Sequence, residues 1–386
     1  MPISPDDVRI CLEDHVAGAA GPQPMSEPIV QTSLFAFPDY ESILDAFKAE
    51  HRNHVYTRGT NPTVEVLDKK LAALEQGEAC KTFASGIAAA SAVMMGLLKA
   101  GDHVLFVNQT YGPTIQLAKQ LGRFGIEHDL FLDLTPDAVR AALRPNTRLV
   151  WLENPGTMLM RTFDIEAVAA VAREHGALTC LDNSWASPLF QKPLTHGIDI
   201  VVHSATKYIG GHSDVVGGAL ITTSERMEQV FFRSYMLHGG ILAPFDAWLL
   251  LRGLRTLPVR MRQHESDALA VAEYLRTRPD VAAVYHPAYY EPSRSLTGHS
   301  GLFSFELASG GFEAVKQFIN GLARFRIGVS WGGVESIVIA PNRGNNLPYL
   351  QAQRIPAGLV RLSIGLEGAD ALIADISRSL DGVRVS

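Results

Sequence analysis

Lys207 lies in a short segment, residues 204–214, that combines an amine with the hydroxyls of Ser204 and Thr206 and with two glycines. A lysine amine can form a Schiff base with an aldehyde. The hydroxyls of Ser204 and Thr206, three and one positions before the lysine, can hydrogen-bond a phosphate. The apolar run at residues 198–202 predicts a buried strand that ends just before them. Because open α/β sheets bind ligands at the carboxyl ends of their strands, the segment is a candidate site rather than an ordinary surface turn.

A carboxylate at a second strand end completes a recognisable set of chemical groups. Asp182 follows the apolar run at residues 177–181. A carboxylate there can pair with a protonated pyridine nitrogen. Together with Lys207 and the two hydroxyls, it forms the minimum set that pyridoxal 5'-phosphate (PLP) chemistry requires. The sequence therefore predicts a PLP site.

The elements that position these residues follow a regular order. Helical and extended patterns alternate between about residues 63 and 223. The predicted helices cover residues 64–76, with Thr63 as the cap, 86–99, 113–124, a segment opening at 135–137, and 165–175. The predicted strands cover residues 103–107, 148–153 and the two runs that precede Asp182 and Ser204. This order predicts an α/β fold with a mostly parallel sheet and helices on both faces.

Changes in composition and in helix and strand patterns along the chain predict three regions. Residues 1–55, which begin rich in Pro, Gly and Ala, suggest an extended N-terminal arm. Residues 56–245 form the cofactor-binding large domain. Residues 246–386 form a smaller α+β C-terminal domain, with helices at 247–257 and 261–277 and a strand at 301–307.

Composition excludes several classes of function. With 47% hydrophobic and 19% charged residues, the 386-residue chain has the composition of a globular protein. The net charge of -6 provides no basic surface for nucleic acid or an anionic membrane. The longest apolar run, residues 87–98, is too short to span a bilayer, and residues 1–11 lack the apolar core of a signal peptide. The three cysteines match neither a metal site nor a disulfide framework, so we expect a cytoplasmic protein without a metal.

Several tracts of the sequence, from residue 31 onward, resemble one known family: the PLP enzymes of cysteine and methionine metabolism. The tracts are residues 56–63 (YTRGTNPT), 85–87 (SGI), Tyr111, 182–185 (DNSW), 204–207 (SATK), 330–336 (SWGGVES) and Arg361. The resemblance implies the fold of aspartate aminotransferase, which is fold type I of the PLP-dependent transferases.

The resemblance also implies roles around the cofactor. Lys207 would carry PLP, and Asp182 would pair with the ring nitrogen. Backbone amides of Gly86 and Ile87, at the start of a helix, would bind the phosphate with the hydroxyls of Ser204 and Thr206. Tyr111 would stack on the ring and take part in proton transfer.

For the substrate, the resemblance implies an amino acid held by its carboxylate. Arg361 would bind that carboxylate in a bidentate manner. Asn154 would hydrogen-bond near the cofactor or the carboxylate, and Ser330 and Trp331 would also line the substrate side. In the family, residues such as Tyr56 and Arg58 reach the phosphate in the neighbouring subunit, which implies a homodimer, usually paired into a homotetramer with shared active sites.

The choice of reaction depends on a few positions. Trp185, Trp331, Pro113 and the run at 300–305 resemble cystathionine β-lyases of bacteria, and Val329 lacks the acidic group of cystathionine γ-lyases. Against this, Gly59 stands where well-known bacterial β-lyases have an arginine, and Gln116 replaces an acidic residue. The tracts at 59–63 and 213–218 also look more like γ-acting relatives.

The resulting expectation is a β-lyase that cleaves L-cystathionine to homocysteine, pyruvate and ammonia, with Lys207 as the base that removes the Cα proton. One alternative is a γ-acting relative: a cystathionine γ-synthase, an O-acyl-homoserine sulfhydrylase or a γ-lyase. The other is a binding protein that kept the fold and lost turnover.

Overall fold

The computed structural model describes residues 3–13, 24–291 and 293–383. The larger of its two sheets contains seven strands. They are β1 (Ala79–Phe83), β2 (His103–Val107), β3 (Glu127–Phe131), β4 (Thr147–Glu153), β5 (Leu178–Asp182), β6 (Ile200–His203) and β7 (Gly218–Thr222). Their spatial order is β1-β7-β6-β5-β4-β2-β3. Strands β2 to β6 run parallel, whereas β7 is antiparallel to both of its neighbours. The prediction of a mostly parallel sheet is confirmed.

Helices lie on both faces of this sheet. Five of them match helices predicted from the sequence: α3 (Pro62–Glu75), α4 (Gly86–Leu97), α5 (Gly112–Leu121), α6 (Pro136–Ala142) and α7 (Ile165–His175). The sequence analysis did not predict α8 (Ser187–Phe190), α9 (Ser224–Val230) or α10 (Met236–His238). One cap differs: Asn61, not Thr63, accepts the hydrogen bond at the start of α3. The Thr63 hydroxyl instead donates to the carbonyl of Pro28, which attaches the N-terminal segment to the helix.

The N-terminal segment contains helices that the prediction of an extended arm did not include. They are α1 (Pro5–Leu12) and α2 (Tyr40–Phe47). Ser4 caps α1 and Asp39 caps α2 through their side-chain oxygens. The sequence analysis did not recognise these capping residues, because the sequence between the two helices is rich in Pro and Gly. Part of that sequence lies outside the described residues.

A second, smaller sheet lies in the C-terminal part of the chain. Its strands are β8 (Val281–Tyr285), β9 (Leu302–Leu307), β10 (Arg326–Ile327), β11 (Ile337–Ile339) and β12 (Leu359–Ser363). Its helices are α12 (Gly311–Gly321), α13 (Leu347–Ala352) and α14 (Ala369–Asp381). The spatial order of the strands is β10-β11-β12-β9-β8, and most pairs are antiparallel.

One long helix, α11 (Pro244–Arg276), joins the two sheets. The sequence predicts two helices here, at 247–257 and 261–277, and that prediction is wrong. Pro258 lies inside the continuous helix, although proline removes one backbone hydrogen bond. The first half of α11 packs in the core of the large sheet and the second half in the core of the small sheet. The division into three regions at residues 55 and 245 stays a prediction.

The core of the large sheet is closely filled by its own strands and helices. Residues of β2, β4, β5 and β6 are almost all buried. All three cysteines (Cys11 in α1, Cys80 in β1 and Cys180 in β5) are buried and form no disulfide. Among the described residues, no helix is both long and apolar enough to cross a membrane.

Candidate functional site

A cavity of about 240 Å³ opens at the carboxyl ends of the parallel strands. Its lining comes from both sheets and from the starts of α4 and α5. The lining residues are Ser85, Gly86, Ile87, Ala90, Tyr111, Thr114, Glu153, Pro155, Thr157, Asp182, Ser184, Trp185, Ser204, Thr206, Lys207, Val216, Leu302 and Trp331. The structure therefore gathers most of the predicted site residues in one place.

Lys207 lies between the two sheets of the molecule. Its Nζ donates a hydrogen bond to Ser330 Oγ at 2.5 Å and lies 5.3 Å from the centre of the Trp331 ring. Burial and then the positive charge of Arg361 lower the pKa of Lys207 to about 8, whereas Asp182 opposes the shift. Near pH 8 a large fraction of this amine is therefore neutral, which is the form that attacks an aldehyde or accepts a proton.

Asp182 and the residues predicted to bind a phosphate are connected by a chain of hydrogen bonds. The backbone N–H and the hydroxyl of Ser184 both donate to Asp182 Oδ1, at 3.0 and 2.5 Å. The backbone N–H of Ser204 donates in turn to Ser184 Oγ at 2.6 Å. Burial raises the pKa of Asp182, and the Ser184 hydrogen bonds and the charges of His203 and Lys207 act against that rise. A cationic partner such as a pyridinium would favour the ionised carboxylate further.

The start of α4 approaches the end of β6 unusually closely. A Cβ atom at Gly86 would lie 2.9 Å from the Ser204 Cβ, so only glycine allows this separation. Ser85 caps the helix by accepting the N–H of Ala88. The free amides at the helix start face the same cavity as Ser204, which is an arrangement suited to a phosphate. The Thr206 hydroxyl also lines the cavity, and it bonds the backbone of Gly217.

Glu153 is a site residue that the sequence analysis missed. It lies beside Asp182 on the neighbouring strand, is buried, and accepts the backbone N–H of Tyr111 at 2.6 Å. Burial and the adjacent Asp182 raise the pKa of Glu153 well above its usual range. The carboxylate thereby holds the start of α5 at the cavity, where the half-exposed Tyr111 ring is placed. The signal available in the sequence was a lone acid ending an apolar run, the same signal that identified Asp182.

Arg361 lies at the edge of the cavity on β12. Its Nη1 is 3.5 Å from the carbonyl of Thr157, and among the described residues no carboxylate forms a salt bridge with it. Burial lowers the pKa of Arg361, and Tyr111 and Glu153 oppose the shift. A partly buried guanidinium without a carboxylate at salt-bridge distance is well suited to an anionic ligand.

Five predicted residues are absent from the lining of the cavity: Arg361 and Ser330, described above, and Asn154, Tyr56 and Arg58. The Oδ1 of Asn154 accepts the backbone N–H of Phe163 at 3.1 Å, and the predicted contact of Asn154 with cofactor or substrate stays a prediction. Thr157, three residues later, lines the cavity instead. Tyr56 and Arg58 are exposed, with the Arg58 guanidinium 5.5 Å from the Tyr56 ring. Their predicted role in a neighbouring subunit stays a prediction.

The indole rings of Trp185 and Trp331 make different contacts. Trp185 is buried and its Nε1 donates to the carbonyl of Leu302 at 2.9 Å, which links the large sheet to β9. Trp331 packs on Tyr208, with ring centres 5.5 Å apart, and faces the Lys207 amine. Both line the cavity.

These features fit PLP. An amine of lowered pKa, a carboxylate whose pKa is raised by burial, and a helix start beside the hydroxyls of Ser204 and Thr206 surround one cavity. Within the described ranges, no group of three or more His, Cys, Asp and Glu side chains is arranged to hold a metal ion.

Comparisons with known proteins agree with this geometry. The model of the family "Cys/Met metabolism PLP-dependent enzyme" matches residues 16–381. The chain is 38% identical over 372 residues to an L-methionine gamma-lyase of Fusobacterium nucleatum subsp. nucleatum, covering 93% of this chain and 94% of the relative. It is 37% identical to a cystathionine gamma-lyase of Bacillus subtilis, over 93% of this chain and 95% of the relative.

A solved structure gives the same result for the fold. The cystathionine gamma synthase from Xanthomonas oryzae pv. oryzae, in complex with aminoacrylate and cysteine, superposes with a TM-score of 0.89 at 34% identity, over 99% of both chains. These relatives are named for γ chemistry, so the expected special likeness to bacterial β-lyases is not supported. The fold of the family is shared over the whole chain, the cofactor is PLP, and the chain belongs to the PLP-dependent enzymes of Cys/Met metabolism.

Proposed function

We propose that the protein cleaves a carbon–sulfur bond at the γ carbon of a sulfur-containing amino acid, as a γ-lyase. The observation that carries the chemistry is the position of the Lys207 amine, which lies in the cavity beside Asp182 and bonds Ser330. The choice of the γ carbon rests on relatives that are named methionine and cystathionine gamma-lyases.

PLP, when bound, supplies the electron sink that makes removal of the Cα proton possible. Lys207 is the base that removes this proton, and its lowered pKa of about 8 matches a base that works near neutral pH. γ-Elimination also requires a proton to be removed from Cβ. Lys207 carries out both transfers, because its flexible side chain reaches across the substrate from one fixed attachment.

Arg361 fixes the direction in which the substrate binds. Its guanidinium, which has no acidic partner among the described residues, binds the α-carboxylate with two hydrogen bonds. The carbonyl of Thr157, 3.5 Å from Nη1, keeps the guanidinium at the cavity edge. With the carboxylate held there and the amine directed toward the cofactor, the sulfur side of the substrate faces Tyr111 and Trp331.

The start of α4 would hold the phosphate of the cofactor. The backbone amides of Gly86 and Ile87 and the hydroxyls of Ser204 and Thr206 would supply the donors, and Asp182 would pair with the ring nitrogen. The close approach of Gly86 to Ser204 supports this assignment. Tyr56 and Arg58 complete the phosphate site of the neighbouring subunit, and the working unit is at least a homodimer.

β-Elimination is the second candidate, and the crowding by Trp331 favours it. The ring of Trp331 lies 5.3 Å from Lys207 Nζ and is fixed against Tyr208. A bulky ring this close to the base narrows the space over Cβ and Cγ. Such a site favours loss of sulfur directly from Cβ.

The keto acid product separates these reactions. With L-cystathionine, γ-elimination gives 2-oxobutyrate, cysteine and ammonia, whereas β-elimination gives pyruvate, homocysteine and ammonia. We expect mainly 2-oxobutyrate by mass spectrometry, and 2-oxobutyrate again from L-methionine. Mainly pyruvate would replace the proposal by the β-lyase assignment. Thioether formation from an acylated homoserine, without a keto acid, would indicate a synthase, and no turnover of any of these would indicate a binding protein.

A further inference from the structure

A buried carboxylate behind the cavity contacts both of the strands that end at the cofactor site. Glu75, the last residue of α3, is fully buried. Its Oε1 accepts a hydrogen bond from Asn183 Nδ2 at 2.7 Å and lies 2.6 Å from His203 Nε2. Asn183 directly follows Asp182, and His203 directly precedes Ser204. One carboxylate oxygen therefore links the residue next to the ring-nitrogen partner with the residue next to the phosphate ligand.

The position of Glu75 is electrostatically unfavourable for an anion. The carboxyl end of a helix carries partial negative charge, and Glu75 lies at that end of α3. Its Oε2 has no hydrogen-bond partner among the described residues. A buried carboxylate in this setting is costly unless a positive charge compensates it. His203, also buried, is the group within hydrogen-bond distance that can carry such a charge.

The His203 charge also acts on Asp182. It is one of the groups that lower the pKa of Asp182 against the effect of burial. Strands β5 and β6 pair in parallel, with Asp182 opposite Val202, so the two side chains belong to neighbouring strand ends. A protonated His203 therefore favours the ionised form of Asp182. Glu75, which is hydrogen-bonded to His203, acts on Asp182 one step further away.

We propose that Glu75 and His203 are positioning residues for the cofactor: they hold the ends of β5 and β6 together and keep Asp182 ionised, so that the ring nitrogen of bound PLP stays protonated. This inference rests on the proposed pairing of Asp182 with that nitrogen. Neither residue lines the cavity. Their effect is transmitted through Asp182 and Ser204.

The first test measures cofactor affinity in the full-length protein. Equilibrium dialysis of PLP against apo protein is compared for wild type, Glu75→Gln and His203→Gln. Glutamine at 75 keeps an acceptor oxygen and the side-chain size, removes the charge, and replaces the second oxygen by an NH2 group. We expect each variant to bind PLP about tenfold more weakly, the usual effect of losing a charged hydrogen bond. Asp375→Asn is the control, because Asp375 is also a buried carboxylate and lies away from the cavity.

A second readout separates charge from general structural damage. PLP labelled with ¹⁵N reports by its chemical shift whether the ring nitrogen is protonated. We expect Glu75→Gln and His203→Gln to move this signal toward neutral pyridine, and Asp375→Asn to leave it unchanged. In an Asp182→Asn background, His203→Gln should weaken PLP binding by less than about threefold, since the carboxylate on which it acts is gone.

Each result of these two tests leads to a different conclusion about Asp182, Glu75 and His203. If Asp182→Asn changes affinity and ring protonation but Glu75→Gln and His203→Gln change neither, the positioning role is wrong and the Asp182 assignment stands. If Asp182→Asn itself has no effect on either readout, the proposed cofactor pairing fails and the inference fails with it. If His203→Gln weakens binding equally in both backgrounds, it acts only on the strand ends, and the charge effect on Asp182 is overturned.

Discussion

At the scale of single residues, the chemistry of the site follows from where charges are buried. Lys207 lies between a guanidinium and a carboxylate, in a cavity whose walls exclude much of the solvent. Burial favours the neutral amine, and Arg361 adds to that effect. The same lysine on a surface would keep a pKa near 10.5, whereas the Lys207 amine is about half neutral near pH 8.

This leads to a prediction about pH. Because the pKa of Lys207 is lowered from 10.5 to about 8, its reactive neutral form dominates above about pH 8. The rate at which apo protein forms a borohydride-reducible link with PLP should rise up to about pH 8 and then level off. The rate is measured by stopped-flow absorbance. A Lys207→Ala protein, the control, should form no such link. A rate that keeps rising steeply to pH 10 would contradict the lowered pKa.

Single residues also show which positions of the site could be predicted from the sequence and which could not. Lys207, Asp182 and Ser204 were predicted because each lies at the end of an apolar run, and the structure brings all three to one cavity. Asn154 has a similar place in the sequence, but its side chain bonds Phe163 instead. Which way a side chain leaves a turn depends on the turn geometry, and that is not encoded in residue type alone.

At the scale of elements, α11 positions the segment that carries Lys207. A Cβ atom at Gly253 would lie 2.4 Å from the carbonyl oxygen of Ile209, so the helix packs directly on the backbone that follows Lys207. Arg260 lies on the same helix, is buried, and donates a hydrogen bond to the carbonyl of Tyr208 at 2.8 Å. The helix thus contacts the lysine segment through a close backbone approach and a charged hydrogen bond.

We expect Gly253→Ala to push α11 away from this segment. Overpacking against fixed backbone should lower the free energy of unfolding by about 1–3 kcal/mol. It should also lower the fraction of Lys207 that links to PLP. Gly122→Ala is the matched control, because a Cβ atom there would meet nothing within 4 Å. Urea denaturation of both variants tests the idea, and equal stabilities would refute the close packing.

The same helix explains why sequence patterns failed at this point. Pro258 is a signal for a helix end, and it led to two predicted helices. In the fold, the residues on either side of Pro258 are buried in the cores of two different sheets. That tertiary packing outweighs the lost backbone hydrogen bond. By contrast, α7 covers Ile165–His175, the predicted range, and Gly176 caps its end in the left-handed conformation.

At the scale of the whole molecule, the active site requires both sheets. The hydrogen bond from Lys207 to Ser330 and the bond from Trp185 to Leu302 each cross from the large sheet to the small one. Arg361 also comes from the small sheet. The alternation of helices and strands predicted the parallel strands β2, β4, β5 and β6. Strands β1, β3 and β7 were missed. The strands β1 and β7 pair antiparallel and leave no βαβ pattern in the sequence, and the edge strand β3 begins with three polar residues and so has no apolar run.

A prediction at this scale concerns subunits. If Arg58 serves the neighbouring site, an Arg58→Ala chain and a Lys207→Ala chain carry complementary defects. A mixed dimer then has one site with both defects and one intact site. Co-refolding equal amounts of the two inactive variants should restore about a quarter of wild-type activity, since half of the dimers are mixed and each has one working site.

The control is the refolding of each variant alone, which should restore nothing. The share of mixed dimers is verified by native mass spectrometry with two affinity tags of different mass. Mixed dimers without activity would place Arg58 in its own subunit's site, or outside any site.

The three buried cysteines can report where the native state unfolds locally. Burial raises the pKa of Cys11 to about 12, and it raises that of Cys80 and Cys180 well above the usual range. A thiol reagent therefore reaches each of them only during a fluctuation that exposes it. Cys11 lies on the N-terminal helix, Cys80 on the outermost strand of the large sheet and Cys180 near its middle. Peptide mapping over time gives the order in which the three cysteines are alkylated. That order is thus the order in which the N-terminal helix, the edge strand and the central strand of the large sheet unfold locally.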